Sequence, residues 1–203
     1  MLYDSSMRLS RVTKAAFLTL ALTFGGFTVA APPIVASQPA AEHSTAHFEV
    51  RFMKNMIAHH HMAVEMSELC LQKATRQELR ELCNQIIADQ NREIQTMQSW
   101  LRDWYGISYT PQMMPDDQRK MQLMANLSST HFEIVFMQEM IKHHRTAIKE
   151  ARTCTQRAGH EELTSLCNNI ITAQRQEIAQ MRQWLCQWYA MCKRKDSDDS
   201  HEH

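Results

Sequence analysis

The stretch HFEVRFMKNMIAHH at residues 47–60 decides the fold, because it returns as HFEIVFMQEMIKHH at residues 131–144. The correspondence runs without a gap, at a constant offset of 84 residues, to WLRDWY ending at Tyr105 and WLCQWY ending at Tyr189. Nearly half of the aligned positions are identical, which chance does not produce. Each copy therefore reads as one supersecondary unit that buries its apolar face against the other.

Within a copy the period is helical. Phe52, Met56, His59, Ala63, Met66 and Cys70 recur at spacings of three and four, beside a second stripe of Met53, Met56, His60 and Val64. The pattern breaks around residues 73–76. A second stripe follows through Leu79, Leu82, Ile86, Gln90, Glu93, Met97, Trp100 and Trp104, and Gly106 closes it as a C′ glycine would. In the second copy Thr130 and Glu133 have capping-box spacing. Two helical hairpins predict an all-α protein, an antiparallel four-helix bundle built of two duplicated halves. The hairpins are expected over 47–106 and 130–192, and between them lies a methionine-rich linker, 107–129. In it, Pro111 and Pro115 flank Met113 and Met114, and a short helix is expected from Asp116 to about Leu127.

The ends read differently. Arg8, Arg11 and Lys14 precede an uncharged run over 15–31, and small residues offer cleavage sites, for instance after Ala36. Residues 1–36 are expected to be an export signal peptide, with an uncleaved anchor as the competing reading. A flexible segment over 37–46 and a disordered, His-containing tail over 193–203 complete the chain. No second apolar span appears, so the mature form is expected to have no membrane span. Lys and Arg together number 22, as do Asp and Glu, so there is no basic field for nucleic acid.

Export implies an oxidising compartment, the periplasm or the exterior, where cysteines tend to pair. Cys70 and Cys83 flank the first break, and Cys154 and Cys167 the second. If each pair forms a disulfide, the register of each hairpin is fixed. His60 then faces Glu93, Met56 faces Met97, Met53 faces Trp100 and Ala63 faces Gln90. In the second copy His144 faces Glu177, Met140 faces Met181, Met137 faces Trp184 and Ala147 faces Gln174. The competing reading is four buried thiols. Cys186 and Cys192 have no counterparts in the first copy, and their pairing stays open.

The chain has 15 Met and 11 His, and doublets of His flanked by Met are not a packing requirement. Thioether and imidazole suit copper(I), with copper(II) as a second option and silver as an analogue. The candidate ligands are Met53, Met56, His59, His60, His61, Met62, Met66 and Met97, with Met137, Met140, His143, His144 and Met181 in the second copy. Gln90, Glu93, Gln174 and Glu177 are expected to orient these histidines or simply to satisfy one another. Met113, Met114, Met121 and Met124 of the linker form a further sulfur-rich set. Plain core packing is the alternative for every methionine.

The segments FMKNMIAHHHMAVEM and FMQEMIKHHRTAIKE, with Q-x-x-E-I-x-x-M-x-x-W in both copies, resemble the family called domain of unknown function 305. The resemblance covers roughly residues 47–189. It implies a ferritin-like fold, and the exported, two-copy, Met- and His-rich arrangement resembles that of periplasmic copper-binding members. It implies a copper buffer or metallochaperone in copper resistance, with a copper exporter or sensor as partner, and no enzyme. A copper-dependent oxidase and a structural bundle are the alternatives. Di-iron catalysis is disfavoured, because the helices carry no E-x-x-H. Arg145, Thr146 and Glu150 replace His61, Met62 and Met66, so the first copy is expected to bind more metal.

Overall fold

The computed structural model describes residues 39–192, and the expected signal peptide and tail lie outside them. Among the described residues there are five helices and no strand: α1 (Pro39–Lys73), α2 (Gln77–Tyr105), α3 (Pro115–Ala125), α4 (Ser129–Arg157) and α5 (Glu161–Tyr189). No described helix is long and apolar enough to cross a membrane.

α1 begins eight residues before the duplicated stretch, so helix covers residues 39–46 of the segment expected to be flexible. Its first turn has a helical rationale, since Pro39 suits a helix start and Ala40, Ala41 and Glu42 follow. At the end of α2, Gly106 adopts φ 65°, and its N–H donates to the Arg102 carbonyl while Ile107 N–H donates to that of Leu101. The capping box at Thr130 is not formed: Ser128 is the N-cap residue of α4, and Glu133 turns away into the other hairpin.

Three-residue connections fold α1 onto α2 and α4 onto α5. The register is the one the cysteines imply. Disulfides join Cys70 to Cys83 and Cys154 to Cys167, all four sulfurs in fully buried residues. Each closes a short loop and contributes on the order of 3 kcal/mol. A third bond, Cys186–Cys192, closes across the turn where Ala190 takes the left-handed φ of 54°.

The hairpins meet mainly through α1 and α4, and α3 touches both of these helices. They are placed so that each methionine cluster packs on the other hairpin's disulfide. Met53, Met56 and Met97 share a core with Cys154 and Cys167, while Met137, Met140 and Met181 share one with Cys70 and Cys83. α1 and α4 therefore run in opposite directions, and His59 meets His143 near the middle of both helices.

Candidate metal-binding site

At that meeting point a row of side chains crosses the protein. The rings of His59 and His143 stack with centroids 3.5 Å apart and planes 30° apart. Outward on either side follow His60, 6.3 Å from His59, and His144, 6.2 Å from His143. Each outer ring meets a carboxylate of its own hairpin. His60 Nε2 is 2.6 Å from Glu93 Oε2. His144 Nε2 approaches Glu177 Oε2 to 2.5 Å, without the alignment of a hydrogen bond. Facing a carboxylate, His60 Nε2 donates, which fixes the ring's orientation, and Nδ1 is buried without a partner.

The central pair is starved of partners too. Both nitrogens of His59 and Nδ1 of His143 are buried and unbonded. Burial, aided by His60 and His144, holds the His59 pKa down at about 3. Burial and then His59 push His143 well below the usual imidazole value. Both rings are therefore neutral at ordinary pH and present lone pairs, the form in which imidazole binds metal.

On one side the rings of this pair, though not these buried nitrogens, border open space. A pocket of about 270 Å³ is lined by His59, His143, His61, Met62, Met113 and Met114. The linker brings the last two across the hairpins because α3 is docked. Met124 is buried in the core, Lys73 Nζ donates to the Ala125 carbonyl at 2.8 Å, and Lys120 Nζ reaches Glu139 Oε2 at 3.3 Å. Sequence reasoning treats the linker methionines as a patch of their own. The structure joins Met113 and Met114 to the histidines.

The other sequence-predicted donors lie elsewhere. Met53, Met56, Met97, Met137, Met140 and Met181 have zero exposure, and Met66 is buried as well. The core clusters close over both faces and enclose these side chains. Gln90 and Gln174 are buried with both side-chain polar atoms unpartnered. Among the described residues, no three His, Cys, Asp or Glu side chains converge as a preformed cluster. The pocket thus offers imidazole and thioether donors, with Gln112 and Asp117 also in its lining.

Of two buried carboxylates, the sequence reading misses Glu49 and assigns Glu133 only to a local cap. Glu49 of α1 accepts from the N–H of Gly159 at 2.6 Å and of His160 at 3.0 Å, at the start of α5. It also bonds His160 Nδ1 at 2.7 Å and the Tyr105 hydroxyl. Glu133 of α4 does the same at the start of α2, accepting from Thr75 N–H at 2.6 Å and Arg76 N–H at 3.1 Å, and from the Tyr189 hydroxyl. Each carboxylate satisfies the orphan amides of a helix in the opposite hairpin. This keeps α1 and α4 in the relation that apposes His59 and His143. The stackings alongside are equivalent too: His160 lies on Trp104 at 3.9 Å, and Arg76 on Trp188 at 4.4 Å.

A disulfide-pinned pair of helical hairpins with histidines and methionines gathered where they cross defines a helical protein with a soft-donor pocket. The model for the domain of unknown function DUF305 matches residues 49–185 and 133–203, and the chain belongs to that family. Among solved structures it is similar to CopM in the Cu(I)-bound form, with 33% identity over 70% of this chain and 97% of that one, at a TM-score of 0.63. It is equally similar to CopM in the Ag-bound form, with 34% identity over 70% and 97% of the two chains and a TM-score of 0.62. A DUF305 protein from Streptomyces coelicolor matches with 26% identity over 68% of this chain and 91% of that one, at a TM-score of 0.62. No curated protein matches the chain.

Proposed function

We propose that the chain is a copper-binding protein, able to take silver as an analogue, that works as a buffer or metallochaperone in the periplasm after removal of an N-terminal signal peptide. The observation that carries this reading is the pocket. Neutral, unpartnered imidazoles of His59 and His143 line it together with His61 and the thioethers of Met62, Met113 and Met114. Such donors favour soft monovalent ions, and thioethers survive where thiols are oxidised. Similarity to CopM, solved with Cu(I), Cu(II) and Ag, supports it. The same similarity supports a ferritin-like four-helix arrangement. The seam methionines then serve as packing, since an ion reaches them only by parting the helices. Met114, at 64% exposed, stands where a copper exporter or sensor could collect the ion.

The test is an anaerobic titration of the oxidised protein with copper(I) against a competing chromogenic chelator. Withdrawal of copper from the chelator is expected. Failure to compete overturns the proposal. Oxygen consumption by the loaded protein would instead favour the oxidase alternative.

A further inference from the structure

Resting on that reading, we infer that the two hairpins share their principal ion: a single monovalent soft cation is chelated between His59 and His143, with the linker thioethers of Met113 and Met114 closing over it. The sequence suggests the opposite, one site per copy, because each copy carries its own Met, Met, His and Glu constellation.

Four observations favour a joint site. First, the two rings lie 3.5 Å apart on different hairpins, and three of their nitrogens are buried without partners. Two metal–imidazole bonds of about 2 Å each span a nitrogen separation of about 3.3 to 4 Å, according to the angle at the metal. The stacked rings hold their lone pairs in near-parallel planes, so an ion takes one nitrogen from each once the rings turn about their Cβ–Cγ bonds to aim those lone pairs at it. Second, the outer histidines each face a carboxylate, His60 bonded to Glu93 and His144 Nε2 lying 2.5 Å from Glu177 Oε2, and their rings lie more than 6 Å from those of the central pair. Third, the pocket is one-sided. Its rim draws His61 and Met62 from α1, whereas the equivalent positions on α4 are Arg145 and Thr146, which carry no soft donor. Fourth, there is one linker, and it is fastened to both halves, through Lys73 on α1 and Glu139 on α4. Met113 and Met114 on this linker line the pocket between the halves.

Sharing has a consequence that two separate sites would lack. The ion becomes a bond between α1 and α4, so loading stabilises the contact between the hairpins as well as each hairpin.

The experiment uses the oxidised protein and its variants H59N, H143N and H59N/H143N, with M113L/M114L as a fourth. Far-ultraviolet circular dichroism and thiol counts establish that each is folded and disulfide-bonded. Copper(I) affinity is read by chelator competition, and silver(I) binding by the shifts of ¹⁵N-labelled imidazoles. In a shared site, either single histidine variant weakens the tightest binding by more than the roughly 10- to 100-fold that loss of an orienting partner causes. The double variant then adds little, and the first silver equivalent shifts both rings together. M113L/M114L weakens the same binding and leaves the fold intact. If H59N and H143N each remove a separate, independent binding event, or if silver shifts one ring without the other, the shared site is overturned while the copper-binding reading stands. If the unaltered protein takes up neither ion, both fall.

Discussion

The carboxylate of Glu49 is bonded at once to the hydroxyl of Tyr105, at the far end of its own hairpin, and to the first amides of α5 in the other. Glu133 repeats this with Tyr189 and the start of α2. With exposures of 0% and 1%, neither group is hydrated, so the donors around it replace water.

Replacing either glutamate with glutamine keeps the shape but turns an amide N–H₂ toward donors. Glu49→Gln and Glu133→Gln are each expected to lower stability by about 2–3 kcal/mol, since hydrogen bonds to charged groups are the strong ones. Urea unfolding of the oxidised protein, read by circular dichroism, measures the change in midpoint. A midpoint unmoved in both variants would contradict the role assigned to these bonds.

The same pair sets an acid limit. Burial alone would raise the Glu49 pKa, but the hydroxyl of Tyr105 and the donors of His160 and Gly159 outweigh it, and the net shift is downward. Glu133 is likewise lowered, burial being overcome by Tyr189, Thr75 and Arg76. A carboxyl depressed in the folded state contributes stability that is complete above its unfolded value of about 4.3 and is lost as pH falls through the folded value. The melting temperature should therefore fall as pH drops below about 4.3. In the double variant Glu49→Gln/Glu133→Gln that acid limb should flatten. An acid limb of equal steepness in both proteins would assign the transition to other groups.

The register within each hairpin is readable from sequence for a simple reason. Cysteines on either side of a short break pin two antiparallel helices, and helical geometry then sets His60 against Glu93 and His144 against Glu177. The relation between hairpins is not readable in this way. A period of 3.6 says which face of α1 is buried, not which helix covers it, so the stacking of His59 on His143 leaves no mark in the pattern. Glu133, three residues after Thr130, has the spacing of a local cap. Only the tertiary fold diverts it to Thr75 and Arg76, which lie far away in the chain. Nor does QMMP at 112–115 reveal which side of the protein the linker crosses.

Two helix ends offer a matched test. Gly106 and Ala190 both take left-handed φ, 65° and 54°, after equivalent helices. A β-carbon at Gly106 would meet nothing within 4 Å, so Gly106→Ala isolates the backbone cost, expected at about 1 kcal/mol of destabilisation. Ala190→Gly should stabilise by about 0.5 kcal/mol, relief of the left-handed alanine being partly offset by the greater freedom of glycine in the unfolded chain. Melting temperatures at fixed pH decide both. Equal signs for the two changes would show that Cys186–Cys192, rather than φ, governs the second turn.

The last expectation separates packing sulfur from binding sulfur. Met56 and Met97 have zero exposure and share one core cluster with Phe52, Ile57 and Leu101. Leucine is close to methionine in volume, so Met56→Leu/Met97→Leu should cost less than about 1.5 kcal/mol per site and leave the tightest copper(I) binding unchanged. Alanine at both positions should instead open a cavity and cost about 2–5 kcal/mol at each. The pocket methionines should show the opposite pattern, because Met114 is 64% exposed and has little packing to lose. There Met113→Leu/Met114→Leu should leave unfolding nearly unmoved yet weaken copper(I) binding. Chelator competition and urea unfolding on the same samples give both quantities. Loss of the tightest binding in the leucine pair at 56 and 97 would return the site to the buried seam, and would require the helices to part each time an ion enters.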